Sequence, residues 1–405
     1  MSCSQEQTAT RDPGGAEEIS DSEFLDIELE NLQPETPESC DGLSPALGND
    51  CGTESETVEG PLIPKTDSAE EAGTPPELAG VSAGAGEGST VLLRRKRVLA
   101  ERSPLERFRL RYLCVTDVCG QAWCELQVVY GFELPHVPKR EEESPEVKAG
   151  ASIHLARELE VHDVVSVSAQ SREDRWALKI LNMLSMLPIL QAGRRVRELP
   201  VFGMLEGVFL VGVIDELHYS HKGELVLSEL KTRGPRSLPG RAQERSHHFQ
   251  VRLYKLLFDS MVRGLLERDA FVQSLNLRPE QPLGSGVMEH AQKLGLHVHT
   301  FGGVLELALM NLSYSELPAI DVLKIEYCHQ GSSDAIGTRE VSFDEAGVRA
   351  ELRNHLSYWI GQREPRGVDI EEAWKCRSCS FEEHCEWRRE RAENATASNQ
   401  TKRFK

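Results

Sequence analysis

The pattern of apolar and polar positions is clearest from Val208 to Thr232. Two β-branched apolar runs there flank a polar turn at His221, Lys222 and Gly223, which predicts two strands joined by a short loop. LPVFGM, from Leu199, predicts a strand just before them. The helical period instead predicts helices over ASIHLARELE, with Ile153, Leu155 and Leu159 facing the core, over Trp176 to Leu190, stopped near Pro188, and over SHHFQVRLYKLLFDSMV, with Phe249, Leu253, Leu256 and Leu257 as its apolar face. Phe108 to Tyr130 reads as an entry strand or turn followed by a helix with Thr116 or Asp117 as N-cap. Further on, Ala319 to Cys328 and TREVSFD predict strands and Glu345 to Gly361 an amphipathic helix. His136 to Lys148 is expected as a loop and residues 276–303 as an irregular insertion. The sum is an α/β fold: a mixed central sheet flanked by helices.

Composition changes this picture at the N-terminus. Of 65 acidic residues in the 405-residue chain, 21 lie in the first 90, against Arg11 and Lys65, so the whole net charge of −19 resides there. The remainder is neutral, and an acidic total therefore does not argue against a polyanionic partner. Residues 1–90, rich in Glu, Ser, Thr, Pro and Gly, bury too little to offset chain entropy and are expected to be disordered. Phe24 to Leu32 within them can be a short partner-binding motif or plain unstructured chain. Arg94, Arg95, Lys96 and Arg97 read as a nuclear-import signal or a solvated linker. No signal peptide or 18-residue apolar run is present, so an intracellular protein without a membrane span is expected.

Asp215 closes the first run of the hairpin, and Glu229 and Lys231 stand where patterning calls for Val, Ile or Thr. Period two puts Glu229 and Lys231 on one face and Leu230 on the other. If the strands pair, Asp215 approaches the same point, which suits a hard divalent cation, Mg²⁺ or Mn²⁺; a surface salt bridge is the competing reading. Lys231, Arg233, Arg236, Arg241 and Arg245 stud the loop that follows, fit either for phosphate contacts or for solubility. Gln250 and Tyr254, four apart, are neighbours on a second face of their helix. His154 lies alone on its helix. Cys376, Cys379 and Cys385 form C-x2-C-x5-C, and Cys114, Cys119 and Cys124 lie near the start of the ordered region. In a reducing compartment these point to metal, and spacing alone favours zinc.

His154, Asp215, the E-L-K of Glu229 to Lys231 and the Q-x3-Y of Gln250 and Tyr254, taken together, resemble the RecB-type branch of the PD-(D/E)XK nuclease superfamily. One upstream cysteine with the terminal trio resembles its iron–sulfur members, and WCELQVVYG, ASIHLARELE, VGVIDELHY, ELKTR and EAWKC are similar to the exonuclease V family over about Glu106 to Trp387. The resemblance implies a restriction-endonuclease-like nuclease domain over residues 91–390, with a loose 391–405 tail. It implies Mg²⁺ held by Asp215, Glu229 and the Leu230 carbonyl, and His154 as a further ligand or holding a second ion. Lys231 would orient or help deprotonate water, and Gln250, Tyr254 and Arg233 would contact DNA. Cys124, Cys376, Cys379 and Cys385 would hold a [4Fe-4S] cluster in place of zinc. The implied activity is a Mg²⁺-dependent single-stranded DNA exonuclease of DNA repair, monomeric, partnered by a single-strand-binding protein, in the nucleus ahead of cytosol and mitochondria. The alternatives are an endonuclease or RNA-cleaving relative, or a non-catalytic, metal-stabilised nucleic-acid-binding protein.

Overall fold

The computed structural model describes residues 102–137, 145–161 and 167–393; the acidic tail, the 94–97 basic cluster and residues 394–405 lie outside them. Helix α1 (Pro104–Arg107) is closed by a capping box between Ser103 and Glu106. Strand β1 (Leu113–Cys114) runs directly into α2 (Val115–Glu133). Asp117 is not the N-cap of α2. It occupies the third helical position, from which its carboxylate accepts the N–H of the true cap, Cys114, at 3.1 Å. The helix is broken at Cys124, whose φ of −162° and ψ of 113° are those of extended chain.

Helix α3 (Pro145–Glu158) starts inside the stretch expected as loop, because proline is tolerated where the first helical N–H has no partner. Leu155 and, just past its end, Leu159 are 48% and 53% exposed, contrary to the core positions expected from the period. The inward face carries Gly150, His154 and Arg157 instead. A Cβ on Gly150 would come within 2.8 Å of Thr232 Oγ1, His154 meets Asp215, and Arg157 donates to Glu326 at 3.2 Å. Spacing of four and then three keeps all three on one stripe. Helix α4 (Arg172–Gln191) continues three residues past Pro188, which lies in its last turn.

Strands β2 (Val196–Leu205), β3 (Val208–Tyr219) and β4 (Leu225–Arg233) follow as expected. Next come α5 (Arg241–Val262), α6 (Arg268–Leu275), α7 (Ser285–Lys293) and α8 (Phe301–Ser313). Helix α7 and the start of α8 replace the expected irregular insertion. Only nine residues long, α7 buries Val287 and Ala291, too short a repeat to show as a period. Strands β5 (Val322–His329) and β6 (Ala335–Val341), helix α9 (Glu345–Trp359) and a 3-10 helix (Ile370–Arg377) complete the order. Among the described residues no helix is long and apolar enough to cross a membrane.

The six strands form one mixed sheet, β1-β3-β4-β5-β6, with β2 also on β3. β2 pairs antiparallel with β3 along its length and occupies one edge. β1 and β4 must then share the other edge. β4 takes Glu216 to Tyr219, β1 takes Leu210 and Val211, and the segment between them, Gly212 to Asp215, faces a gap in the sheet. Helix α5 covers one side here with Tyr254, which is fully buried and packs against Gly212. A Cβ on Gly212 would meet Tyr254 Cε1 at 2.6 Å, so Gly212→Ala is expected to cost about 1–3 kcal/mol by overpacking. Denaturant unfolding of the full chain would reveal it as a lowered midpoint at unchanged slope.

Candidate active site

The gap in the sheet builds the site. Pairing between β3 and β4 proceeds from Tyr219–Leu225 to Glu216–Ser228 and stops. Asp215 and Glu229 are the next positions in that register, and there the strands part. The Leu230 N–H, left without a backbone acceptor on β3, is taken by Asp215 Oδ2 at 2.7 Å. A short carboxylate hydrogen bond of this kind fixes the side chain as well as satisfying the backbone.

From the helical side, His154 Nδ1 lies 3.8 Å from Asp215 Oδ2, with the two side chains 28% and 17% exposed. Helix α3 is held in place by a buried arginine. Arg197, 5% exposed, donates from Nε to Glu216 at 2.9 Å and from Nη1 to both Glu160, at 2.9 Å, and the carbonyl of Arg157. Burial alone would raise the Glu216 carboxyl, but His218, Arg195 and Arg197 around it hold it below the usual carboxylate range. Arg157 in turn binds Glu326, which also accepts from Ser228 Oγ at 3.2 Å.

Those contacts put Ser228 and Leu230 on the α3 side, where they line a cleft with His154, Glu198 and Asp215. Glu229 and Lys231 alternate to the other side, toward α5. Lys231 pairs in register with Tyr327, whose hydroxyl lies 3.0 Å from His247 of that helix. Glu229 and Lys231 are 2% and 5% exposed and form an ion pair at 3.1 Å. Buried charges of this kind are tolerable only in company.

The structure therefore brings Asp215 and His154 together, as the sequence suggested, and sets Glu229 against Lys231. It also adds Glu198, which no motif singled out. Among the described residues, donor atoms of His154, Glu198 and Asp215 all lie within 4.8 Å of one another. Imidazole and carboxylate donors fit a hard or borderline divalent cation.

Three residues expected at the DNA surface are inside. Gln250 and Tyr254 are 4% and 0% exposed, and Gln250 Nε2 donates to Tyr254 Oη at 2.9 Å. Arg233 is 3% exposed, and its guanidinium binds the Ser237 carbonyl at 2.8 Å and Gln243 Oε1 at 3.0 Å. It shapes the basic loop from within. That loop is also shorter than expected, because α5 begins at Arg241 and not Ser246.

The second centre is the cysteine cluster. The kink in α2 turns Cys124 toward Cys376, Cys379 and Cys385. Burial first, and then the neighbouring thiols, push the Cys124 thiol up to about 12. Cys114 and Cys119 are buried elsewhere in the core. The C-terminal segment is fastened to α2 by side chains that need no metal. Lys375 Nζ donates to the Trp123 carbonyl at 3.0 Å and sits 4.4 Å above its ring, and Phe381 packs on Tyr130. Glu125 receives two hydrogen bonds from Arg363 and one from the Arg366 N–H.

Comparison with known proteins places these features. A family model described as "Exonuclease V - a 5' deoxyribonuclease" matches residues 103–225, 219–302 and 306–388. The zebrafish (Danio rerio) protein named Exonuclease V is 50% identical over 378 residues, covering 93% of each chain. A solved chain described as the crystal structure of SSO0001 covers 73% of this chain and 97% of its own at 14% identity, with a TM-score of 0.36, too low to bear on the fold. The matched segments run through the parted hairpin, the α3 histidine and the terminal cysteines alike, and the chain belongs to the exonuclease V family of 5′ deoxyribonucleases.

Proposed function

We propose that the protein is a divalent-metal-dependent 5′ exonuclease acting on single-stranded DNA in repair. The observation that carries this is the convergence of donor atoms of Asp215, His154 and Glu198 at the gap between β3 and β4. Asp215, Glu229 and the Leu230 carbonyl would hold Mg²⁺ or Mn²⁺, with His154 as a further ligand. A cation so held would supply charge stabilisation at the phosphoryl oxygens and make a bound water nucleophilic near neutral pH. The chain's own part is positional. The Leu230 N–H fixes the Asp215 carboxylate, and the buried Lys231 ammonium orients water beside its partner Glu229. The sheet with its parted strands reads as restriction-endonuclease-like, and the protein as a monomer of the nucleus that works beside a single-strand-binding protein.

The test uses end-labelled linear single strands, duplexes and single-stranded circles, with Mg²⁺ and with EDTA. Loss of linear single strands from the 5′ end, with circles intact and EDTA blocking all cleavage, is the expected result. Cutting of circles would replace the exonuclease reading with an endonuclease.

Cys124, Cys376, Cys379 and Cys385 hold a [4Fe-4S] cluster in this reading, and their thiolate donor set fits one. It acts as a staple, since about 250 residues of chain are closed between its first and second ligands. Anaerobically purified protein should be brown, absorb broadly near 400 nm and contain iron and sulfide. Stoichiometric zinc in a colourless protein is the opposite outcome.

A further inference from the structure

We propose that Trp374 is a stacking platform for an unpaired base of the DNA strand, beside a phosphate track formed by Arg241, Arg245 and the N-terminus of α5. The inference rests on the nuclease reading above and assigns its single-strand preference to a residue.

Among the described residues Trp374 is the most exposed tryptophan, at 52%. It is nevertheless firmly seated. Its ring meets that of Trp123 at 5.5 Å and 85°, and Trp123 carries the Lys375 ammonium 4.4 Å from its ring centre. Three elements join beneath this pair. Ser246 Oγ of α5 donates to the Cys119 carbonyl of α2 at 3.0 Å, Lys375 ties the 3-10 helix to α2 through the Trp123 carbonyl, and Arg245 ties α5 to the 3-10 helix through Glu372. Two residues past Arg245, His247 reaches Tyr327, the register partner of Lys231, so α5 links this surface to the Glu229–Lys231 side of the sheet.

The electrostatics suit a strand passing alongside. Arg241 lies four residues before Arg245, hence one turn nearer the start of α5 on the same face, and both are exposed. The N-cap there is Gly240, also exposed, which brings no side chain to the first-turn N–H groups. Two guanidiniums and an open helix N-terminus favour backbone phosphates. Of the acids nearby, Glu372 is shared by Arg245 and Lys375, and Glu244 is paired with Arg339 at 3.4 Å. The three-residue repeat of the 3-10 helix sets Trp374 between Glu371 and Arg377, whose charges offset.

Every base has a π-face, so stacking tolerates any sequence, as successive removal of nucleotides requires. In a duplex those faces are taken by neighbouring bases, and the platform therefore selects single strands.

The experiment measures, by fluorescence anisotropy with Mg²⁺, the affinity of full-length Asp215→Asn protein for two labelled strands of equal length, an oligothymidylate and its abasic analogue. Oligothymidylate should bind at least about tenfold tighter, and adding Trp374→Ala should remove most of that preference while the abasic strand binds as before. Trp374→Tyr, which keeps an aromatic face, should restore it. Equal weakening on both strands would mark a structural role and overturn the platform, as would an unchanged preference; either result leaves the nuclease reading standing. Cleavage of the oligothymidylate by Asp215→Asn protein would instead overturn that reading.

Discussion

Asp215→Asn is expected to lower DNA hydrolysis by at least about a thousandfold while leaving the fold intact. The amide is isosteric, and its oxygen can still accept from the Leu230 N–H that now binds Asp215 Oδ2 at 2.7 Å. What disappears is the charge that stands with His154 and Glu198 in the cleft. Metal affinity and turnover should therefore fall together, whereas an unchanged unfolding midpoint would show that the loss is chemical. Lys231→Met should behave differently. It strands the Glu229 carboxylate in the interior, so it should lower stability as well as turnover while DNA affinity changes little. Full activity in purified Asp215→Asn protein would refute the assignment of the site.

Glu125→Ala is expected to cost about 3–5 kcal/mol of stability, the largest effect outside the cleft. The Glu125 side chain is 8% exposed and receives both terminal nitrogens of Arg363, at 2.6 and 2.5 Å, and the Arg366 N–H at 2.8 Å. Removing the carboxylate leaves the guanidinium, itself only 14% exposed, without its counter-charge. Burial works to raise the Glu125 carboxyl, but His355, Arg363 and the Arg366 N–H outweigh it and hold it at about 2, against an ordinary 4.5. A depressed folded value stabilises the protein fully above about pH 4.5 and progressively less as pH falls toward 2. The unfolding midpoint of wild type should thus drop through that window and approach that of Glu125→Ala at its acid end. The exposed Lys293–Glu289 pair is the control, and breaking it should not move the midpoint measurably. Because Glu125 follows Cys124 directly and Arg363 precedes the cysteine trio, the proposed cluster predicts that its loss also lowers any iron retained on purification.

Much of this was legible along the chain. The hairpin from Val208 to Thr232, the strands after Leu199 and Ala319 and the helix from Glu345 each carry enough consecutive apolar positions for a period to be unambiguous. Asp215, Glu229 and Lys231 stood out because charge interrupts a β-branched run, and the cysteine trio because its spacing is tight. Helix α3 misled for a physical reason. Its inward stripe is Gly150, His154 and Arg157, facing a polar site, so the apolar residues Leu155 and Leu159 are the ones left outside. Gln250, Tyr254 and Arg233 misled in the opposite sense, polar groups buried because their hydrogen bonds are met internally.

Local sequence determined which elements form and which of them carry charge, since alternation, capping and turn residues act over a few positions. It could not decide which neighbour each charge meets. That was settled by where β4 leaves the edge of β3 and by the β2 register, both long-range pairings whose geometry sets Glu198 across from Asp215, turns Glu229 toward Lys231 and folds the C-terminal cysteines back onto the kink at Cys124.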